Sequence, residues 1–445
     1  MILDLIKTLG FTVLDADMYE YIDLWRTWYK GQNKFHDYLQ YNGKRQVKRT
    51  RATLNMAKKL CEDWANLLLN EKAEIVIENE ATSKKLRDIL VSNNFRVQSN
   101  RLVELAFALG TGAFVEYKNG DNIVIDYIRA DMIYPISCEN GMITECIFGS
   151  EKIIDGKKCI YLNFHLLKNG KYTIINRLFD SETNLEMPLP KDVKAEYATG
   201  REKPFFQIIK PNICNNIQLS NCMGVSVYSN CIDVLQGLDL VYDSYLNEFK
   251  LGKKRILIPV GMIDIVEDGS GQRKPIFDYN DTEFYAVPKN DSITDLKEID
   301  MHIRAAEHTE GLQQNLNLLS DKAGLGTDRY RYDNKGLKTA TEVVSEKSEL
   351  YQNMCKHQIL LRSALCDLAK SVLYLSGNTS IDDAEIKVDF DDSIIHDTES
   401  EKKSDLQLVS SGIMPIWEFR VKWFNETEEQ AKKMTATSLD GNDDL

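Results

Sequence analysis

Two long helical patterns, separated by a short segment with strand character, constrain the fold of this chain more than any other sequence feature. Residues 226–252 place apolar side chains at helical spacing and end at Gly252, a residue type that commonly terminates helices. Residues 294–322 repeat the helical pattern, and residues 253–293 between them contain two strand-like runs around a glycine-rich stretch. Helices of this length reach about 35–40 Å at 1.5 Å per residue. The pattern therefore predicts an antiparallel helical stalk that carries a small β-rich tip.

A loop and a very long helix are predicted to follow the stalk. Residues 323–338 contain three glycines and four basic side chains without apolar periodicity, which is typical of an irregular loop. Thr339-Ala-Thr-Glu342 then matches a capping box, in which the hydroxyl and the glutamate bind the first backbone N–H groups of a helix. We expect this helix to continue to about Leu375 and, because its apolar residues lie on more than one side, to be buried.

The first 225 residues mix helical and strand patterns. Helices are predicted over residues 19–29, 53–70 and 84–109. Alternating residues predict strands at Glu74–Glu78 and, after residue 112, a series of short strands joined by turns such as Asn169-Gly170. A further strand is predicted at Ala384–Phe390, followed by short helices and an acidic tail. The expected fold class is α+β, dominated by antiparallel pairing.

A basic segment lies between the first two predicted helices. Lys44-Arg-Gln-Val-Lys-Arg-Thr-Arg51 holds five basic residues in eight. One interpretation is a solvated loop, and the other is a contact with nucleic acid or with an acidic partner.

Composition excludes several classes of protein. The net charge of −13 argues against a sequence-specific DNA-binding protein, which usually carries a basic face. It is compatible with a protein that DNA slides past, because each persistent phosphate contact adds affinity through counterion release. Nine cysteines without a CxxC pair predict reduced thiols rather than a disulfide framework or a zinc site. No apolar run is long enough to span a bilayer, and residues 1–7 lack the features of a secretory signal, so no membrane partner is expected.

The sequence lacks the common catalytic motifs. The chain has no GxxxxGK[ST] loop, no GxGxxG after a strand, and no HExxH or GxSxG pattern. Asp389-Phe-Asp-Asp392 lacks the spacing of a known metal-binding loop and is interpreted as a solvated strand end. Asp239 and Asp243 lie one helical turn apart without a third ligand, which indicates a polar helix face. We therefore expect no enzyme activity, no cofactor and no metal.

The order of these elements resembles that of the portal (head–tail connector) proteins of tailed bacteriophages, over nearly the whole chain. Several motifs are similar to those of the family segment that leads into the first stalk helix. They are Lys203-Pro-Phe-Phe206, Pro211-Asn212, Gly224-Val-Ser226, Asp233 and Leu238-Asp239. The strand-like Lys254-Arg-Ile-Leu-Ile-Pro259 is similar to the strand that enters the family's tip.

Two further regions add to the resemblance. Motifs similar to a subgroup that infects Gram-positive bacteria are Trp25, Trp28-Tyr29, Gly31, His36, Tyr38 and Arg51-Ala-Thr-Leu-Asn-Met56. Those similar to the family's C-terminal region are Asp397, Glu399, Gly412 and residues 426–429. The sequence departs from the family at Ile413-Met-Pro415, where a serine–threonine turn is expected, and this leaves the C-terminal boundaries open.

The resemblance implies a division of the chain into the family's named regions. These are a wing (1–225, with a long helix and wing strand at 339–395), a stem (helices 226–252 and 294–322), a clip (253–293), a tunnel loop (323–338) and a crown with an acidic tail (396–445). It also implies a homo-oligomeric ring of about twelve subunits at one capsid vertex, a heterologous cyclic assembly. The implied partners are double-stranded DNA bound without sequence specificity, the terminase large subunit, a head–tail adaptor, a scaffold and the major capsid protein. The implied location is the virion, with assembly in the host cytoplasm.

The resemblance and the charge pattern together nominate site residues. We expect Arg329, Arg331, Lys335 and Lys338 of the tunnel loop to meet DNA phosphates, with Tyr330 and Tyr332 packed between neighbouring loops. Lys253, Lys254 and Arg255 at the junction of stem and clip are further candidate contacts with DNA or a partner. Two other classes stay open: another virion structural protein such as a coat protein, and a cytosolic nucleic-acid-modifying enzyme.

Overall fold

The computed structural model describes residues 2–41, 45–70, 72–154, 156–191, 193–252, 254–259, 265–267, 273–275, 284–287, 297–331, 340–390, 398–424 and 426–439. Helices account for 45% of the chain and strands for 26%, and nearly all strand pairs are antiparallel, so the predicted α+β class is confirmed. Within the described ranges, no helix combines the length and the apolar character needed to cross a bilayer.

The helices fall into an N-terminal group, a central pair, one long helix and a C-terminal group. They are α1 Ile2–Thr8, α2 Met18–Tyr29, α3 Met56–Leu68, α4 Glu80–Ser92, α5 Phe95–Leu109, α6 Ile232–Leu251, α7 Ala305–Lys322, α8 Ala340–Leu375, α9 Thr398–Ser410, α10 Ile416–Phe424 and α11 Glu428–Leu439. Short 3₁₀ turns lie at Lys34–His36, Ala130–Met132, Ser229–Cys231 and Ile381–Asp383.

Among the described residues the strands form six sheets. The first twelve strands are β1 Asp37–Tyr41, β2 Gln46–Thr50, β3 Glu74–Ile77, β4 Gly112–Asn119, β5 Asn122–Arg129, β6 Ile133–Glu139, β7 Met142–Ile154, β8 Lys157–Lys168, β9 Lys171–Asp180, β10 Glu186–Met187, β11 Glu196–Ala198 and β12 Phe206–Ile209. The other six are β13 Arg255–Pro259, β14 Ile265–Glu267, β15 Arg273–Pro275, β16 Phe284–Val287, β17 Lys297–Ile299 and β18 Ile386–Asp389. The largest sheet has the order β10-β9-β8-β7-β6 with β11 beside β9, and the others are β12-β4-β5, β16-β13-β17, β1-β2, β14-β15 and β18-β3.

The main core joins the N-terminal helices to the long helix α8. Trp64 of α3, Phe114 of β4 and Leu368 of α8 are fully buried members of one apolar cluster, and Tyr228 closes it from the segment that precedes α6. Burial of one such large side chain stabilises a fold by roughly 1.5–3 kcal/mol. The cluster therefore makes α8, predicted to be buried, a central element rather than a surface helix.

Two asparagines divide the predicted helix over residues 84–109 into α4 and α5, so that prediction was wrong in its continuity. Asn94 has a φ of +49°, which a continuous right-handed helix does not allow. The Asn93 amide also donates to the Ile123 carbonyl at 2.9 Å and accepts from the Ile125 N–H at 2.9 Å. These bonds tie the break to the edge of β5. The predicted turn at Asn169-Gly170 is confirmed, since both residues have positive φ between β8 and β9.

The central helices differ from their predicted bounds at their N-terminal ends. The first begins at Ile232 rather than at residue 226, because Val227 donates a backbone hydrogen bond to the Phe107 carbonyl of α5 and the chain turns at Ser229–Cys231. The second begins at Ala305 rather than at about residue 294, because Lys297–Ile299 pairs as a strand with Arg255–Leu257. The β-rich segment therefore extends further along the chain than the expected 253–293.

Candidate nucleic-acid interface

Helices α6 and α7 pack side by side in antiparallel directions. Near one end the Lys322 ammonium lies 3.3 Å from the Asp233 carboxylate, and near the other end Arg304 and His308 both contact the Glu248 carboxylate. These cations, with the Arg304 guanidinium contributing most, hold the pKa of Glu248 below its usual range. The expected antiparallel stalk is thus present as a two-helix unit.

A glycine lets the two helices approach closely in the middle of the pair. A Cβ atom added at Gly237 would lie 3.0 Å from the Asn315 side-chain oxygen of α7. A side chain at that position would have to displace the Asn315 amide, so Gly237 provides the space that this amide occupies between the helices.

A small sheet lies at the end of the helix pair where α6 ends. Its central strand β13 runs parallel to β16 and antiparallel to β17, so that Arg255 pairs with Ile299. Lys254 forms an exposed ion pair with Glu298 of β17. Of the predicted junction cations, Lys254 and Arg255 therefore lie at the root of this sheet, and Lys253 lies outside the described residues.

The loop after α7 leaves its helix through a two-bond glycine turn. Leu325 donates its N–H to the Ser320 carbonyl at 2.9 Å, Gly324 donates to the Asp321 carbonyl at 2.9 Å, and Gly324 has a φ of +78°. This is the Schellman arrangement, in which a left-handed residue closes the last helical turn.

Two side chains from other helices fix the start of the loop. The Trp64 indole of α3 donates to the Ala323 carbonyl at 3.1 Å, and the Asn353 amide of α8 donates to the Gly324 carbonyl at 3.0 Å. The loop therefore begins at a rigid point between α3 and α8.

Asp63 of α3 is the centre of a second anchor. This carboxylate is only 5% exposed, and it accepts a hydrogen bond from the Tyr330 hydroxyl at 2.9 Å and one from the Lys59 ammonium at 2.7 Å. The Arg329 guanidinium lies 3.6 Å from the same carboxylate. Burial, together with the adjacent Asp63 charge, raises the pKa of Tyr330 well above its usual range, so the phenol is a permanent hydrogen-bond donor.

The five predicted loop residues have different surroundings. Tyr330 is 9% exposed and belongs to the core of its own subunit, and its contact with DNA or with neighbouring loops stays a prediction. Arg329 is partly exposed beside Asp63, and Arg331 is exposed, with its guanidinium 3.4 Å from Asp328. Lys335 and Lys338 lie outside the described residues, as do Tyr332 and Gly336.

A buried carboxylate on α6 holds the N-terminal segment to the helix pair. Asp239 accepts hydrogen bonds from the His36 imidazole at 2.8 Å, the Thr53 hydroxyl at 2.9 Å and the Leu54 N–H at 2.9 Å. One turn later Asp243 accepts from the Ala52 N–H at 3.0 Å.

The interpretation of Asp239 and Asp243 as a polar helix face was therefore wrong. Both side chains are less than a tenth exposed. The sequence signal was available in the cluster of hydrogen-bond donors at residues 51–55, but it becomes specific only when the fold brings that cluster to α6.

The basic segment over residues 44–51 contributes a strand rather than a loop. Strand β2 pairs with β1 in register, with Asp37 opposite Thr50 and Tyr41 opposite Gln46, and no described strand pairs with this hairpin. Arg51 at its base stacks over the rings of Phe35 and Tyr38 at 4.7 and 4.5 Å. The hairpin is thus exposed but has a fixed base.

The described part of the chain positions several cations near the start of the loop. Within the described ranges no group of three or more histidine, cysteine, aspartate or glutamate side chains is arranged to hold a metal ion. The cations near the loop are held by Asp63 and Asp328 on a buried frame, which suits contact with a polyanion at its surface.

Comparison with models of known protein families places this chain in a family. The family model described as "Phage portal protein, SPP1 Gp6-like" matches residues 15–439 of this chain. A search of curated proteins found no match.

Proposed function

Because this chain belongs to the SPP1 Gp6-like family of phage portal proteins, we propose that it forms the ring at one capsid vertex through which DNA enters and leaves the head. The observation that carries the proposal is the family match over residues 15–439, which includes the helix pair, the small sheet and the loop described above. Family membership implies an oligomeric ring that works with packaging and capsid components and a place in the virion.

We assign the parts of the chain to portal regions on this basis. The antiparallel pair α6 and α7 is the stem, and the sheet β16-β13-β17 with the hairpin β14-β15 is the clip, which docks the terminase large subunit and later the head–tail adaptor. The mixed region before α6, together with α8 and β18, is the wing. Helices α9 to α11 are the crown. Scaffold and major capsid protein contact the outside of the assembled ring.

The loop that begins at Ala323 is the tunnel loop in this assignment. Arg329 and Arg331, with Lys335 and Lys338, contact the phosphates of passing double-stranded DNA without reading its sequence. The support is geometric. The loop starts at a rigid point on α3 and α8, and its guanidinium groups are partly exposed. The net charge of −13 leaves few cations for contact with phosphates. Because every phosphate contact slows the dissociation of DNA, a small number of contacts permits the DNA to slide.

The portal does not hydrolyse ATP in this proposal, and the energy for packaging comes from the terminase. Resemblance of the N-terminal motifs further assigns the phage to a subgroup that infects Gram-positive bacteria. Infection tests with the assembled phage on Gram-positive and Gram-negative hosts decide that assignment.

The test of the ring combines electron microscopy of the purified chain with its mass in solution. We expect closed rings of about twelve subunits with a central hole, the cyclic assembly that a heterologous interface generates. A chain that stays monomeric at every salt and protein concentration contradicts the proposal.

The test of the loop replaces Arg329, Arg331, Lys335 and Lys338 together by alanine. We expect rings of unchanged mass that package or retain less DNA. The matched control replaces four exposed cations of the large sheet and the C-terminal helices, Lys157, Lys158, Lys402 and Lys403. Unchanged packaging and retention in the loop variant would remove the loop from the mechanism while leaving the ring assignment intact.

A further inference from the structure

The hairpin β1-β2 is exposed to an unusual degree for a two-stranded unit. Leu39 and Tyr41 are 67% and 64% exposed, and eight of the ten strand residues are exposed. An isolated hairpin is at best marginally stable in water. Exposed apolar side chains on such a ribbon indicate a surface that another molecule covers.

The hairpin combines these apolar side chains with an excess of positive charge. Leu39 lies opposite Lys48 and Tyr41 opposite Gln46, so the three large exposed side chains Leu39, Tyr41 and Lys48 share one face. Asp37 lies on the same face and pairs with Lys48 at 3.1 Å. The excess of positive charge comes from Arg45 and from Arg49, which lies on the opposite face of the ribbon across from Tyr38. The partner that fits is acidic, with an apolar side chain of its own.

Helix α7 presents a surface of that kind. Its exposed residues include Glu307, Glu310, Gln314, Leu318 and Asp321, which recur every three or four positions and therefore form one stripe. Leu318 is 53% exposed, and Asp321 follows it one turn later on the same stripe. We call this surface the acidic stripe. It lies away from the side of α7 that buries Leu316 and Leu319.

The hairpin and α7 lie on opposite sides of α6. Gly237, Val241 and Glu248 of α6 contact α7. Asp239 and Asp243, which bind the base of the hairpin, lie about half a turn around the helix from them at 100° per residue. A hairpin anchored there lies across α6 from the acidic stripe of its own subunit, and that stripe is left uncovered by the described residues of the subunit.

We propose that the hairpin β1-β2 of each subunit docks on the acidic stripe of α7 in the next subunit of the ring. The inference rests on the ring of the proposed function and assigns two different, complementary surfaces to its interface, as heterologous contacts require. Because its base is fixed at Asp239, the hairpin loses little conformational entropy when it docks. The basic segment is therefore explained by an acidic partner that is a second copy of this chain.

The test uses charge reversal on each surface and then mixes the two variants. Lys48→Glu/Arg49→Glu changes the hairpin, and Glu307→Lys/Glu310→Lys changes the stripe. Each variant alone should need about a tenfold or higher protein concentration to assemble, because like charges then face each other at every interface. An equal mixture should assemble near the wild-type concentration, since alternating subunits restore opposite charges at every contact. Assembly is read by light scattering and electron microscopy.

Controls separate this inference from the proposed function and from misfolding. Lys157→Glu/Lys158→Glu reverses two exposed charges on the large sheet and should assemble like the wild type. Thermal unfolding followed by circular dichroism checks that each variant is folded. A wild-type chain that never forms rings contradicts the proposed function itself. Wild-type rings with single variants that assemble normally overturn the inference alone, as do folded variants that the mixture fails to rescue. Normal assembly with weaker DNA retention in the hairpin variant also overturns it and assigns the hairpin to DNA.

Discussion

Replacement of Asp239 by alanine should destabilise the subunit more than any other single carboxylate change on α6. The side chain is 4% exposed and accepts three hydrogen bonds, from His36, Thr53 and Leu54. The Thr53 hydroxyl can rotate to another acceptor, but the imidazole and the Leu54 N–H would lose their partner. At about 1–3 kcal/mol for each of these two buried donors left unpaired, the free energy of unfolding should fall by about 2–6 kcal/mol.

The assay is urea unfolding at one fixed protein concentration, followed by tryptophan fluorescence. Trp28 is a suitable probe because its ring centre lies 5.4 Å from that of His36. The matched control is Asp233→Ala on the same helix, whose side chain is 78% exposed and pairs only loosely with Lys322. This control should change the unfolding free energy by no more than about 0.5 kcal/mol.

A second measurement localises the effect. Limited proteolysis should cut the Asp239→Ala variant within residues 37–54 sooner than the wild type, because both ends of the hairpin lose their attachment. Equal stability of the Asp239 and Asp233 variants would refute the argument that one carboxylate holds this segment to the helix pair.

Three further predictions concern the loop anchor and a buried acid. Tyr330→Phe removes the hydroxyl that Asp63 accepts and should cost about 1–2 kcal/mol in urea unfolding, whereas Tyr197→Phe, at an exposed position, should cost almost nothing. Gly324→Ala should cost about 1–3 kcal/mol, because φ is +78° and the new Cβ would lie 3.2 Å from the Asn353 amide; Gly311→Ala, inside α7 with ordinary contacts, should be neutral or stabilising. Burial raises the pKa of Glu116 well above its usual range. Above pH 4.5 the unfolded chain has lost the Glu116 proton while the folded chain still holds it, so folding takes up a proton. The free energy of unfolding of the wild type therefore falls as the pH rises from 4.5 towards the raised pKa. The stability of Glu116→Gln relative to the wild type should therefore increase with pH, by at most about 1.4 kcal/mol per pH unit. The control Glu151→Gln, at an exposed site, should show no such increase. A stability difference between Glu116→Gln and the wild type that stays constant across pH would show that Glu116 does not change its protonation on folding.

Patterns within single elements predicted much of this fold. The helical spacing around Trp25 and Trp64, the alternation at Glu74–Ile77 and the Asn169-Gly170 turn are local features, because the chemistry that sets them lies within a few residues. The α+β class and the antiparallel helix pair follow from their order.

Boundaries that depend on distant partners could not be predicted in this way. Lys297–Ile299 has a helix-compatible sequence but pairs with Arg255–Leu257, and Asn93 interrupts a helix because β5 offers it two backbone partners. In each case the long-range contact outweighs local propensity.

The candidate site likewise has features that local sequence predicts and features that depend on distant residues. The positive charge of Arg329 and Arg331 is evident from the sequence, since it needs no knowledge of neighbours. The burial of Tyr330 on Asp63 and the role of Asp239 require two segments about two hundred residues or more apart to meet, which no local pattern encodes.

The sheet formed by β3 and β18 has a consequence for synthesis on the ribosome. Ile77 pairs with Ile386, roughly 300 residues later, and α8 just before β18 fills the core around Trp64 and Phe114. A nascent chain shorter than about 340 residues thus lacks both the central helix and the strand partner of its body, and one shorter than about 390 residues still lacks the complete strand. Emerging chains on one messenger should consequently stay unable to associate until translation is nearly complete, which delays assembly until finished subunits are released.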